Sequence, residues 1–156
     1  MVNIYLTKGP SQTKKIGEVA ARNILKQGPL KKAVILGLVG DLGGGKTTFL
    51  QGFARGLGTR EKILSPTFVI MRRYKIQDAR HKMQNFYHVD CYRLEHPKEI
   101  LDLGFKKIIS NPWNIVAIEW ADKIKKIFPK DSLIIRFRFV DKNTRKIIIK
   151  TTKNGK

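Results

Sequence analysis

The sequence predicts one α/β domain, in which helices flank a sheet of mixed parallel and antiparallel strands. Two short apolar runs, at residues 33–39 and 115–118, are typical of buried parallel strands. A segment that favours helix follows each run, as in a βα unit. Near the end of the chain, strand patterns at residues 133–140 and 145–151 flank a four-residue turn, which predicts an antiparallel hairpin. We expect this domain to span residues 1–156, with the last few residues disordered.

The N-terminal segment predicts a strand followed by a helix. Residues 3–7 have the pattern of a strand, and Gly9-Pro10 is typical of the turn after it. Ser11 is a candidate cap for a helix whose apolar residues recur with helical spacing up to residue 24.

A glycine-rich segment at residues 40–47, GDLGGGKT, fits the phosphate-binding pattern G-x-x-x-x-G-K-[ST]. It lies between the first apolar run and a helix that Gly58 can end. Glycines allow successive backbone N–H groups to point at phosphate oxygens, and the helix N-terminus adds a favourable field for anions. Lys46 can reach the β- and γ-phosphates, and the Thr47 hydroxyl suits Mg²⁺. The segment therefore predicts nucleoside triphosphate binding by a P-loop NTPase-like fold. The residues expected to bind the nucleotide through this loop are Asp41, Leu42, Gly43, Gly44, Gly45, Lys46, Thr47 and Thr48.

The middle of the chain predicts a hairpin and two helices. A strand at residues 68–71, a polar turn at residues 77–84 and a return strand at residues 85–92 form the hairpin. A short helix is expected at residues 97–103, where Pro97 can open it and Gly104 can close it. A later helix is expected near residues 122–128.

Glu119 is the best candidate for the carboxylate that hydrolysis requires near Mg²⁺. It directly follows the apolar run at residues 115–118, and open α/β sheets bind ligands at the carboxyl ends of their strands. At that position it can hold Mg²⁺ through a water or polarise the attacking water. The alternative is an ordinary exposed glutamate at a strand end.

Asp90 is the second candidate, because two-residue spacing on a strand places it on the same face as His88. The two side chains can face one pocket, bind a metal or form a structural hydrogen bond.

Thr67, in the segment S-P-T-F at residues 65–68, can meet Mg²⁺ or the γ-phosphate, and a structural turn explains the segment equally well. Cys91 is expected to point away from Asp90 as a core thiol.

Composition limits the class of protein. There are 32 basic and 12 acidic residues, which give a formal net charge of +20. This charge can attract nucleic acids or acidic protein surfaces, or it can reflect lysines spread over solvated faces. No apolar run reaches the roughly 18 residues of a membrane-spanning helix, so no membrane association is expected. The single cysteine excludes an internal disulfide and favours a reducing, cytoplasmic location.

Four motifs together resemble the TsaE family (older name YjeE), the bacterial ATPases of tRNA threonylcarbamoyladenosine synthesis. The motifs are G-D-L-G-G-G-K-T-T at residues 40–48, S-P-T-F at residues 65–68, H-V-D-C-Y-R-L at residues 88–94 and I-E-W at residues 118–120. The P-loop pattern alone is widespread, but the four motifs in this order and spacing are specific. The resemblance covers about residues 4–149.

The resemblance implies an Mg²⁺-dependent ATPase that works with the proteins TsaB and TsaD. These partners place a threonylcarbamoyl group on adenosine 37 of tRNA, the t6A37 modification. ATP hydrolysis, weak in the protein alone and stimulated by the partners, would reset the TsaB–TsaD assembly between turnovers. Direct contact of the basic surface with tRNA stays a separate hypothesis.

The resemblance also implies roles for individual residues. Lys46 would contact phosphates, and Thr47 and Glu119 would hold Mg²⁺. Asp90 would lie by the γ-phosphate or the attacking water. The side chains expected near the adenine or beside the site are Ser11, Thr13 and Trp120.

Two other functions are compatible with the P-loop. A small-molecule kinase would need an acceptor pocket and an arginine-bearing lid, for which Arg72-Arg73 is the only adjacent arginine pair. A nucleic-acid-binding protein that uses nucleotide only as a ligand would show RNA affinity that depends steeply on salt.

Overall fold

The computed structural model describes residues 2–63, 69–77 and 82–151, and these residues form one sheet flanked by helices. The strands are β1 (Val2–Lys8), β2 (Val34–Gly40), β3 (Met71–Lys75), β4 (Asn85–Asp90), β5 (Asn114–Glu119), β6 (Leu133–Asp141) and β7 (Thr144–Thr151). The helices are α1 (Pro10–Gln27), α2 (Lys46–Leu57), α3 (Lys98–Leu101), α4 (Phe105–Ser110) and a short 3₁₀ helix, Ala121–Ile124.

The sheet is mixed, with strand order β1-β7-β6-β2-β5-β4-β3. The central strands β6, β2, β5 and β4 run parallel to their neighbours in this group, whereas the β3–β4, β6–β7 and β7–β1 pairs are antiparallel. This arrangement confirms the predicted α/β class with a mixed sheet. Since β2, β4 and β5 are parallel, their carboxyl ends meet at one edge of the sheet.

Two apolar layers hold the helices against the sheet. On one face α1 and α2 cover the sheet, and α2 contributes Phe49, Leu50 and Phe53 to a large core cluster. On the other face α3, α4 and the 3₁₀ helix contribute Ile100, Phe105 and other residues to a second cluster over β2, β4 and β5. The apolar residues that recur along α2 therefore form its core-facing side, as their helical spacing predicts.

Several predicted boundaries differ from the observed ones. Ser11 does not cap α1, because Pro10 already occupies the first turn and the helix is preceded by Gly9 at φ +90°. The return strand ends at Asp90, two residues before the predicted end at residue 92. The hairpin at the C-terminal end has a two-residue connection, since Asp141 pairs with Thr144.

The helices after β4 also differ from the prediction. The predicted helix at residues 97–103 is shorter, and Gly104, at φ +83°, ends that turn and precedes α4, which the sequence did not predict. The helix expected near residues 122–128 is a 3₁₀ helix that ends at Ile124. Within the described residues, no helix combines the length and hydropathy needed to cross a bilayer.

Candidate nucleotide-binding site

The glycine-rich segment forms the connection between β2 and α2, as predicted. Gly43 and Gly45 have φ angles of +75° and +103°, in the region that favours glycine. Gly40 lies so close to β6 that a Cβ atom there would be 2.1 Å from the carbonyl oxygen of Phe137. The loop is therefore seated against β6, and α2 begins directly after it at Lys46.

Lys46, the first residue of α2, is 6 % exposed and lies inside the loop. Its Nζ donates hydrogen bonds to the carbonyl oxygens of Gly40 at 3.0 Å and Asp41 at 2.8 Å. The ammonium also lies 4.7 Å from the centre of the Trp120 ring, a cation–π distance. Burial lowers the pKa of Lys46, and the negative charges of Glu119 and Asp41 oppose that shift.

A cavity of about 700 Å³ opens above the loop. The predicted site residues that line it are Thr13, Leu42, Gly43, Gly45, Lys46, Thr47, Thr48, Asp90, Glu119 and Trp120. Three other predicted residues, Ser11, Asp41 and Gly44, are not among its lining residues. Ser11 is exposed on α1, whereas the carbonyl of Asp41 holds both Lys46 and the backbone N–H of Gly44. The cavity thus joins the P-loop to the carboxyl ends of β4 and β5.

Glu119 is the last residue of β5 and pairs with Asp90 in the parallel β4–β5 register. It is buried, so it is not the exposed glutamate of the alternative interpretation. His88 lies two residues before Asp90, on the same face of β4, and its Nε2 is 2.7 Å from Oε2 of Glu119. An ionised carboxylate only accepts hydrogen bonds, so Nε2 carries the hydrogen.

His88 is completely buried, and its second ring nitrogen, Nδ1, has no hydrogen-bond partner. Among the described residues it is the one buried side-chain nitrogen or oxygen in this condition. His88 thus bonds Glu119, whereas Asp90 Oδ1 accepts a 3.0 Å hydrogen bond from the backbone N–H of Tyr92.

Cys91 is a buried thiol in the second core cluster, as predicted. Burial, with a smaller contribution from the charge of Asp90, raises the pKa of Cys91 to about 12. The native thiol should therefore stay protonated at mildly alkaline pH, where an unfolded cysteine ionises at about 8.5. We expect iodoacetamide to leave Cys91 unmodified in the native protein and to alkylate it fully in denaturant, as mass spectrometry would measure. Rapid alkylation under native conditions would contradict the burial of Cys91.

Residues of the β6–β7 hairpin, which sequence reasoning did not select, also line the cavity: Lys142, Asn143 and Arg145. Arg145 donates from Nε to the carbonyl oxygen of Gly43 at 2.8 Å and from Nη1 to the carbonyl oxygens of Asp141 and Thr144. It thereby ties the hairpin to the P-loop. No motif marks Arg145, because its place beside the loop depends on β6 lying next to β2.

An aromatic pair closes another side of the cavity. Trp120 is in the left-handed region at φ +58°, the one residue other than glycine with positive φ among those described. Its ring lies 5.1 Å from that of Tyr92, and the Lys123 ammonium bonds the Tyr92 carbonyl oxygen. Such a backbone conformation costs about 1–3 kcal/mol, so the surrounding contacts hold Trp120 there.

The donor set fits Mg²⁺ bound together with a nucleotide. No cluster of three or more His, Cys, Asp or Glu side chains able to hold a metal occurs in residues 2–63, 69–77 and 82–151. Mg²⁺ in phosphate-transfer sites needs only one or two protein ligands, with phosphates and waters completing its shell. Thr47 and Glu119, which both line the cavity, can supply those ligands. Thr67 and the rest of the S-P-T-F motif lie outside the described residues.

A parallel strand, a glycine-rich loop, a helix that begins with the loop lysine and a carboxylate on the adjoining strand define a P-loop NTPase-like α/β protein. Residues 7–147 match the family described as "Threonylcarbamoyl adenosine biosynthesis protein TsaE". The chain therefore belongs to the TsaE family and takes part in tRNA threonylcarbamoyladenosine biosynthesis, which confirms the resemblance seen in its motifs.

Individual relatives agree with this assignment. The chain is 34% identical over 148 residues to the "tRNA threonylcarbamoyladenosine biosynthesis protein TsaE" of Rickettsia typhi, and the match covers 94% of each chain. It is 35% identical over 143 residues to the protein of the same name from Bacillus subtilis, covering 92% of this chain and 82% of the relative. The crystal structure of B. subtilis YdiB superposes with a TM-score of 0.74 at 29% identity, covering 99% of this chain and 88% of that one.

Proposed function

We propose that this protein is an Mg²⁺-dependent ATPase that supports t6A37 formation together with TsaB and TsaD. The observation that carries the proposal is the placement of Glu119 and Lys46 on one cavity, with Glu119 held by His88. A P-loop alone binds nucleotide, whereas hydrolysis also needs a positioned carboxylate. The carboxylate is present, buried and oriented.

In this proposal each residue has a defined task. On nucleotide binding, the Nζ of Lys46 would exchange its hydrogen bonds to the carbonyl oxygens of Gly40 and Asp41 for bonds to phosphate oxygens. Because Lys46 already lies inside the loop, this exchange would need little movement of its side chain. Thr47 and Glu119 would hold Mg²⁺, which neutralises charge on the transferred phosphoryl group. Oε2 of Glu119 is bonded to His88, so Oε1 would be the oxygen available to hold Mg²⁺ or to polarise a water. Asp90, in register with Glu119, would orient that water.

Turnover by the protein alone is expected to be slow. Two arginines, Arg93 and Arg145, line the cavity, and neither was predicted to lie on a lid of its own. Arg145 bonds three backbone carbonyls, which fix it to the loop and hairpin rather than to a transferred phosphoryl group. A group supplied by a partner can raise the rate by about 10³–10⁵-fold in P-loop enzymes. We therefore expect the TsaB–TsaD assembly to stimulate hydrolysis.

Phosphate release from Mg·ATP tests this function, measured for the protein alone and with TsaB, TsaD and tRNA. We expect stimulation by the complete assembly, and we expect Glu119→Gln to lower the stimulated rate by about 10²–10³-fold, the loss typical of a stabilising group in the site. Glu61→Gln is the matched control, because Glu61 is exposed and does not line the cavity. Equal rates with and without the assembly would refute partner stimulation, and transfer of phosphate to a metabolite would indicate a kinase instead.

A further inference from the structure

One half of the sheet has a face that no helix among residues 2–63, 69–77 and 82–151 covers. Tyr5, Phe137 and Ile147 of β1, β6 and β7 enter the core beneath α1 and α2, so the alternate residues of these strands point to the opposite side. On that side, the second core cluster of the described residues draws on β2, β4 and β5 and contains none from β1, β6 or β7. We call this surface the basic sheet face. It consists of Val2, Ile4, Leu6, Ile134, Arg136, Arg138, Lys146, Ile148 and Lys150.

The basic sheet face combines aliphatic and cationic side chains in register. Ile4 pairs with Ile148, which pairs with Arg136, and the next row joins Leu6 to Lys146 and Arg138. The β1 side chains are far more exposed than a core face allows: Ile4 is 59% and Leu6 65% exposed. Solvated faces of antiparallel sheets normally carry polar residues, so aliphatic residues at successive outward positions of β1 indicate a surface that is covered in use.

A second cavity, of about 540 Å³, adjoins the basic sheet face and shares Ile134 and Arg136 with it. Its lining also contains Lys125 and Lys130 and one carboxylate, that of Asp122. Trp120 lines this cavity as well as the nucleotide cavity. A partner seated on the basic sheet face would therefore lie next to the wall of the nucleotide site.

The chemistry of the face selects one class of partner. Its nine residues include four cations and no carboxylate, which favours an acidic partner. They include no aromatic side chain on which RNA bases could stack, and contacts to RNA phosphates would not bury the aliphatic residues of β1. A protein surface with carboxylates around an apolar centre would pair with the cations of the face and bury its aliphatic residues, as in interfaces with an apolar core and a polar rim.

We propose that the basic sheet face docks an acidic, centrally apolar protein surface, and that this surface belongs to the TsaB–TsaD assembly. The inference rests on the proposed function for the identity of the partner. Docking at this face would give a role to at least some of the basic residues behind the net charge of +20, which the nucleotide cavity does not require. It also places the partner where it can act on the nucleotide site through Trp120.

The test compares binding of three variants to purified TsaB–TsaD and, separately, to tRNA. Arg136→Glu/Arg138→Glu reverses two exposed charges of the face, and Ile4→Ser/Leu6→Ser removes its apolar part. Lys31→Glu/Lys32→Glu, two exposed residues before β2, is the control with the same change in net charge.

We expect both face variants to bind TsaB–TsaD roughly tenfold or more weakly, and the control less than about threefold more weakly. Basal hydrolysis should be unchanged in all three, because none of the substituted residues lines the nucleotide cavity. Wild-type affinity for TsaB–TsaD should also fall as ionic strength rises.

Two outcomes would overturn the docking proposal while leaving the proposed function intact. One is wild-type affinity of both face variants for TsaB–TsaD, and the other is a selective loss of tRNA binding, which would make the face an RNA surface. If the wild-type protein does not bind TsaB–TsaD at all, the proposed function and the docking proposal fail together. The thermal midpoint of each variant checks that it is folded, and either face variant alone suffices for the comparison.

Discussion

Replacing His88 by Leu is expected to destabilise the protein by about 3–5 kcal/mol, because it leaves a buried carboxylate without its partner. Glu119 is only 4% exposed, and its Oε2 atom receives the 2.7 Å hydrogen bond from His88. For a chain of this length the loss corresponds to a fall of about 6–20 °C in the thermal midpoint, which calorimetry or circular dichroism would measure. Partner-stimulated hydrolysis should fall as well, because Glu119 is no longer held towards the cavity.

The matched control is His96→Leu, since His96 is exposed after β4 and a surface substitution usually changes stability by no more than about 0.5 kcal/mol. His88→Gln should recover part of both losses, because the glutamine amide can still donate a hydrogen bond to Glu119.

A double variant separates stability from function. In His88→Leu/Glu119→Leu both buried polar partners are gone, and replacing both partners of a buried polar pair by apolar residues is often neutral or stabilising. We expect the thermal midpoint to return towards the wild-type value while partner-stimulated hydrolysis stays as low as in Glu119→Gln. If His88→Leu alone has the wild-type thermal midpoint, the buried Glu119 carboxylate does not need the hydrogen bond from His88. The positioning role of His88 would then be wrong.

The position of Glu119 could be predicted from sequence, whereas its partner could not. A buried strand followed by a carboxylate is a local pattern, and parallel strands place such residues at the ligand-binding edge. The His88–Glu119 bond joins residues 31 positions apart, and it forms because β4 and β5 are parallel neighbours in register. One sequence gives the face of His88 on its strand but not the order of strands in the sheet.

The same reason explains why Arg145 was missed. Alternation along β7 predicts which way Arg145 points, but its bond to Gly43 requires that β6 lie between β7 and β2. The error at Ser11 has a local cause: a serine is a good cap, but proline at the first helical position starts the helix two residues earlier. The place of the glycine-rich loop between β2 and α2 could be predicted, because the glycines and the lysine lie within eight consecutive residues and depend on local backbone geometry.

Replacing Lys46 by Met is expected to abolish nucleotide-dependent behaviour without lowering the stability of the nucleotide-free protein. Lys46 supplies the ammonium that would contact the phosphates, so hydrolysis should fall below about 1% of the wild-type rate. Saturating Mg·ATP, at about 100 times the dissociation constant, should stabilise the wild-type protein by roughly 2.7 kcal/mol and leave the variant unchanged. Thermal unfolding with and without Mg·ATP measures both effects, and Lys62→Met, at an exposed lysine beyond α2, is the control.

The stability of the nucleotide-free variant follows from the burial of Lys46. Burial lowers its pKa in the folded state below the unfolded value of 10.5, so the charged form opposes folding at neutral pH. This destabilisation by the Lys46 charge decreases as pH rises from the folded pKa towards 10.5, because Lys46 loses its proton in the folded state before it does so in the unfolded state. The carbonyl of Asp41 keeps the N–H of Gly44 as a donor when the ammonium is removed, which limits the loss of hydrogen bonds.

We therefore expect the thermal midpoint of nucleotide-free Lys46→Met to exceed that of the wild-type protein most near neutral pH, and this difference to shrink in alkaline solution. A variant that unfolds well below the wild-type midpoint at neutral pH would show that Lys46 stabilises the empty loop. A variant that Mg·ATP stabilises as much as the wild type would show that Lys46 is not the phosphate ligand. A lysine that costs stability in the empty protein and is needed only with nucleotide is the pattern expected of a functional residue rather than a structural one.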